Sequence, residues 1–260
     1  MCTLVALHGV HPAHPLVLAA NRDEFYARAA DPPRLLAEAP RIVGGVDRES
    51  GGTWLGANEH GLFVGLTNQR THEAPSRTRA SRGPFVREAL AQRDPDAVEA
   101  LLRALPRGAT NPFNLLFGVP GDLRVAYVRD EGVESATLAP GVVVLGNDRL
   151  GSPEFEVKTA RARDIARATL AREGPALIDA LREMLRDHRR TEVHVIAPPP
   201  PTSIFSVELL EALSSLCIHT PAYGTVSAAI LLWGTSGRVE RFLHAEGSPC
   251  RAEFADVVRP

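Results

Sequence analysis

The 260 residues carry 29 basic and 31 acidic side chains, a formal net charge of −2, and 44% hydrophobic residues. That length suffices for a sizeable core in one domain, and near-neutrality excludes the electrostatic footprint of a nucleic-acid or anionic-membrane binder. Three scattered cysteines, Cys2, Cys217 and Cys250, are too few for a disulfide framework, and the lack of a C-x-x-C pair argues against a cysteine zinc site.

The opening MCTLVALHGVHPAH lacks the basic n-region of a signal peptide. No apolar run approaches the roughly 20 residues of a membrane span, so a soluble, cytoplasmic chain is expected. Short apolar runs punctuated by Gly, Pro and Asn dominate the first third and predict strands at Thr3 to Leu7, Leu16 to Ala20, Thr53 to Ala57 and Leu62 to Leu66. The first two are joined by a His/Pro turn and read as a hairpin. Phe85, Val86, Ala89 and Leu90 form a helical stripe. Asp94-Pro95 then restarts a helix, with Asp as N-cap and Pro in the first turn, whose face is Val98, Leu101, Leu102 and Leu105.

Strands return at Leu115 to Val119, Arg124 to Val128 and Val142 to Leu145; the last is apolar throughout, which implies burial on both faces. Helices are expected over Lys158 to Arg172 and along Leu177, Ile178, Leu181, Met184 and Leu185. Four consecutive prolines from Pro198 make a stiff loop, and Thr225 to Trp233 and Val239 to His244 close the chain as strands. Strands at both ends with helices between predict an α+β fold over residues 1–260, two stacked sheets covered by helices in a single domain. Basic residues are nearly all Arg; the sole Lys, Lys158, reads as coding bias.

Cys2 is the first candidate for chemistry. A small penultimate residue permits removal of Met1, and the α-amine so freed, with a pKa of about 7.7–8.0, can serve as base for its own thiol. The Leu16 to Ala20 strand ends in Asn21-Arg22-Asp23-Glu24, and the hairpin places Asp23 near that amine, where a carboxylate orients and tunes it. Asn68 and Asn147 end buried strands, a position from which an amide can donate to an oxyanion, although each alone also suits a turn or cap. His8, His11 and His14 recur at every third position without a fourth ligand, so no metal is expected there. Arg77, Arg79 and Arg82 read as a basic, solvated loop.

An ordered series of motifs then makes the sequence specific: Met-Cys at the start, NRDE at Asn21 to Glu24, GGTWLG at Gly51 to Gly56 and NEHGL at Asn58 to Leu62. GLTN at Gly65 to Asn68, SRG at Ser81 to Gly83, LGN at Leu145 to Asn147 and YGT at Tyr223 to Thr225 complete it. This series resembles the NRDE family, the transport-and-Golgi-organisation type 2 proteins. That family is similar to N-terminal-nucleophile (Ntn) hydrolases of the bile salt hydrolase and penicillin V acylase group. The resemblance implies an αββα four-layer sandwich and cleavage of amides outside peptide backbones. It also implies Cys2 as nucleophile, Asp23 on the amine, and Asn68 (or its strand-end backbone) with Asn147 as the oxyanion site.

Three positions depart from the hydrolase pattern. Ala20 stands where those enzymes have Arg, Val226 replaces the Arg after Tyr-Gly-Thr, and Ser152-Pro153-Glu154-Phe155 replaces a Trp-rich stretch. Arg22 immediately precedes Asp23, and neighbouring residues on a strand face opposite sides, so Arg22 is not expected to replace the Arg missing at Ala20 unless the strand has already ended. The expected function is Ntn-type cysteine hydrolysis of a non-peptide amide or acyl thioester through Cys2 after Met1 removal. Arg22, Glu24, Trp54, Arg82 and Tyr223 are then the expected substrate contacts. The rival expectation is a non-enzymatic protein that binds haem, acyl-lipid or acyl-CoA.

Overall fold

In a computed structural model, described over residues 2–152 and 156–260, the chain forms two antiparallel sheets. Met1 and the segment Pro153 to Phe155 lie outside the described residues. The first half runs β1 (Thr3–His8), β2 (Leu16–Phe25), β3 (Ala30–Glu38), β4 (Arg41–Asp47), β5 (Leu55–Asn58) and β6 (Phe63–Asn68), then α1 (Gly83–Leu90) and α2 (Pro95–Ala104). It continues through β7 (Phe113–Val119), β8 (Asp122–Arg129), β9 (Gly132–Leu138) and β10 (Gly141–Leu145), then α3 (Glu156–Ala168), α4 (Gly174–Leu185) and α5 (Val207–Ala212). It ends with β11 (Tyr223–Trp233), β12 (Val239–Glu246) and β13 (Phe254–Asp256).

One sheet has the order β10-β1-β2-β11-β12-β13 and the other β3-β4-β5-β6-β7-β8-β9. Strand alternation explains the layering. Leu4, Ala6, Leu18 and Ala20 face the second sheet and pack with Phe63, Leu116 and Trp233. Val5, Leu7, Val17 and Ala19 face outward and pack under Leu177 and Leu181 of α4. On the opposite side, Val86, Leu90, Val98 and Leu102 of α1 and α2 cover Val64, Leu115 and Phe117. The result is the four-layer αββα sandwich.

Asp94 caps α2 as expected, its side chain accepting from the Ala97 N–H at 2.9 Å. Strand β3 escaped the sequence reading because it holds Pro32 and Pro33; it lies at a sheet edge, where a missing N–H donor costs no ladder bond. Strand β10 is also an edge, so Val142 and Val143 are only partly buried although its two faces pack against different cores. Among the described residues, no helix is long and apolar enough to cross a membrane.

Candidate active site

The first correction concerns NRDE: β2 does not end at Ala20 but runs on to Phe25, so the whole motif lies within a strand. Thr3 pairs with Asn21, and one further step brings Cys2 opposite Arg22. The core alternation puts Cys2 and Arg22 on the face between the sheets and Thr3, Asn21 and Asp23 on the helix side. Asn21 accordingly donates to the carbonyls of Leu185 and Leu216, both at 2.9 Å. Arg22 reaches across to Asp47 of the other sheet at 3.4 Å. Arg22 therefore stands beside the thiol, on the strand face opposite to the Asp23 side chain.

Cys2, Arg22, Asp23, Glu24, Trp54, Asn68 and Arg82 all border one cavity of about 350 Å³ between the sheets. Its size suits a small organic ligand. Burial pushes the Cys2 thiol above its usual range and the Asp23 carboxylate adds to it; the charge of the amino terminus, then the Asp23 main-chain N–H directed at the sulfur and the Arg22 guanidinium, oppose them. The thiol thus needs a base to become a nucleophile near neutrality. Burial also raises the Asp23 carboxyl, against the pull of the amino terminus, of Lys158 and of the Thr225 hydroxyl, which donates to Asp23 Oδ1 at 2.6 Å.

Two expected residues stand elsewhere. Asn147 does not border the Cys2 cavity; its Nδ2 donates to the Asn68 carbonyl at 2.6 Å, and it lines a separate void of about 20 Å³ with Thr3 and Lys158. The end of β10 is held against the end of β6 by this bond, so Asn147 positions Asn68. Tyr223 is likewise not a cavity wall: its hydroxyl donates to the Asp23 carbonyl at 2.8 Å. Glu24 borders the cavity and pairs with Arg28 at 3.7 Å.

The three loop arginines diverge. Arg79 forms a two-pronged pair with Asp130, whereas Arg82 turns to the cavity, its Nη1 donating to the Pro112 carbonyl at 3.5 Å. Arg82 has no ion pair among the described residues, and burial, then the neighbouring Arg28, pushes its pKa down. Two of the spaced histidines have main-chain partners: the His11 ring contacts the Arg172 carbonyl at 2.8 Å and the His14 ring that of Trp233 at 3.0 Å.

Two residues that the sequence reading passed over matter here. Lys158, read as composition, is 5% exposed, its charge acts on Asp23, and Asp23 and Cys2 act in turn on it; its being the sole lysine was the available signal. His244 lies in the cavity wall and burial holds its pKa at about 4. A single histidine in an alternating strand carried no signal.

This sandwich, with a cysteine just before an inner strand and beside an interior cavity, has an Ntn-hydrolase-like fold. It superposes on the C2A mutant of the conjugated bile acid hydrolase from Clostridium perfringens with a TM-score of 0.50, covering 100% of this chain and 97% of that one at 14% identity. The chain belongs to the Transport and Golgi organisation 2 family, whose model matches residues 1–244. The Transport and Golgi organization protein 2 homolog of Bos taurus is 30% identical over 241 residues, 87% of this chain and 85% of that protein. The Homo sapiens homolog is 28% identical over 238 residues with the same shares covered.

Proposed function

We propose that this protein is an Ntn-type cysteine hydrolase of a non-peptide amide or acyl thioester, acting through Cys2 after Met1 is removed. The supporting observation is the position of Cys2 on the wall of the inter-sheet cavity, with the Asp23 main-chain N–H directed at its sulfur. Removal of Met1 supplies the missing base. The α-amine takes the thiol proton as sulfur bonds to the carbonyl carbon, and returns that proton to the leaving nitrogen or sulfur as its bond to carbon breaks. Water then attacks the acyl-enzyme, gives a proton to the amine, and releases the acid with the thiol restored. Asn68 borders the cavity and supplies an oxyanion donor, held by Asn147. Arg82 offers its guanidinium to an anionic group on the substrate.

The test is a panel of N-acyl amides and acyl thioesters offered to the processed chain, with intact mass read during turnover. Expected are hydrolysis and an acyl adduct on Cys2, both lost in Cys2→Ala. Stoichiometric binding of haem, acyl-lipid or acyl-CoA without turnover by processed protein would replace this reading with the binding one. The raised thiol favours that second reading wherever Met1 is retained.

A further inference from the structure

Away from the Cys2 cavity, His188, Cys217, His219 and Cys250 bring four ligand atoms within 4.8 Å of one another. Their segments are distant in sequence. His188 follows α4, Cys217 and His219 lie between α5 and β11, and Cys250 lies between β12 and β13. Both cysteines are free thiols. Cys217 Sγ is 3.7 Å from Cys250 Sγ and 3.6 Å from His219 Nε2, and Cys250 Sγ is 3.3 Å from that nitrogen.

Those spacings can be set against an ion. Zn(II) bound tetrahedrally at about 2.3 Å to sulfur and about 2.0–2.1 Å to nitrogen has sulfur–sulfur edges of about 3.8 Å and sulfur–nitrogen edges of about 3.5 Å. The rings of His188 and His219 stack with centroids 5.2 Å apart, close to the roughly 5 Å between two imidazoles directed at one tetrahedral ion. The backbone is braced around them: the Cys217 N–H donates to the Asp187 carbonyl at 2.9 Å, and Ser215 Oγ donates to the Cys217 carbonyl at 2.8 Å.

We propose that His188, Cys217, His219 and Cys250 form a four-ligand site for Zn(II). The absence of a C-x-x-C pair had argued against such a site, but C-x-H at Cys217 to His219 supplies two ligands, and the fold brings the other two from either side. Two thiol protons leave as the two thiolates bind the ion. With every position held by protein, the ion has no open site and acts as a staple. It would fix Ile218, whose N–H donates to Thr225 Oγ1 and whose carbonyl accepts from the Thr225 N–H, both at 2.9 Å. Thr225 in turn holds Asp23, so the staple braces the strap beneath the Cys2 cavity.

Full-length Cys2→Ala protein leaves only these two thiols and is the material for the test. Reduced, treated with chelator and titrated with Co(II), it should bind one equivalent, with thiolate charge-transfer absorption and the strong visible bands of tetrahedral cobalt. One equivalent of Zn(II) should bleach them. In the same background Cys250→Ser should weaken uptake by more than about 100-fold, beyond the effect of changes outside the ligand set, and His188→Ala should abolish the tetrahedral bands. If chelation unfolds the chain, recovery of its circular dichroism with one equivalent of Zn(II) supports the site equally. A reduced, folded chain that takes up no Co(II), or binds it as well after Cys250→Ser, overturns the assignment. Neither result bears on hydrolysis by Cys2, so the two readings fail separately.

Discussion

Cys2 combines a favourable place with an unfavourable ionisation. Its thiol is raised by burial and by Asp23, and under the proposed mechanism its base is the α-amine that removal of Met1 frees. A positioned base is worth about 10²–10⁴-fold. A variant that keeps one residue before Cys2 is therefore expected to hydrolyse acyl substrates slower by that factor at pH 7, with its fold unchanged. Steady-state kinetics on chains of defined intact mass check this; equal rates would remove the amine from the mechanism. Lys158 is the second residue at this scale. It is buried, its Nζ donating to the Leu213 carbonyl at 3.4 Å, and its charge and that of Asp23 each favour the ionised form of the other, so removing one is expected to strand the other. Lys158→Met should lower stability by about 3 kcal/mol when Asp23 is present and by much less in Asp23→Asn. Urea denaturation of the double-mutant cycle should give a coupling of about 0.5–3 kcal/mol, and a coupling of zero would mean the two charges do not meet.

Among the elements, motifs that resemble catalytic signatures prove to be joints. Asn58 of NEHGL uses its whole side-chain amide. Oδ1 accepts from the His60 and Leu62 N–H groups, and Nδ2 donates to the Leu90 and Gln92 carbonyls, tying the β5–β6 turn to the end of α1. Gly52 of GGTWLG is a contact rather than a turn. A Cβ there would sit 2.2 Å from the Gly83 carbonyl carbon, backbone against backbone, at the start of α1. Gly52→Ala should therefore destabilise the chain by about 1–3 kcal/mol or more. It should also raise KM by displacing Arg82, which precedes that helix. Asp94→Ala, which removes only the cap of α2, should cost about 1 kcal/mol and leave KM alone. Thermal melts with parallel kinetics separate the two; an unchanged KM in Gly52→Ala would mean that Arg82 does not contact substrate.

At the scale of the whole molecule, the cavity exists because two sheets meet through apolar faces that stop short of the strand ends. Polar residues then border the opening: Cys2 and Arg22 on inward positions of one sheet, and Asn68 at the exposed end of β6 in the other. His244 lies in the same wall, its pKa lowered from 6.5 to about 4 by burial. The unfolded chain binds that proton at higher pH than the folded one, so this group's contribution to stability is present above pH 6.5. It is lost as pH falls toward about 4 and is constant below. At about 1.36 kcal/mol per pH unit the loss is at most about 3 kcal/mol, reduced by the partial exposure of the ring. His244→Phe should abolish that share of the pH dependence. Denaturation at pH 7 and pH 4.5 for both proteins checks it, and identical slopes would place His244 in water.

Much of this could be read from residue order alone. Cys2 at the second position, the alternation of β1 and β2, the Asp94-Pro95 cap and the ordered motifs carry the layers and the inward face on which Cys2 lies, because strand and helix periods report which face a residue occupies. Periodicity does not report what that face meets. The strand signal at Leu16 to Ala20 faded at Asn21 because the continuation is polar, although β2 runs on to Phe25 and hydrogen-bonds along β11. Asn147 beneath Asn68, Tyr223 and Thr225 on Asp23, and the charge of Lys158 acting on that carboxylate are partnerships across 79 to 202 residues. The meeting of His188 and Cys217 with Cys250 is likewise made by the fold, the two thiols standing 33 residues apart in sequence. Sequence determined which side chains were available and which way they point; the stacking of the sheets and the path of the loops decided which of them touch.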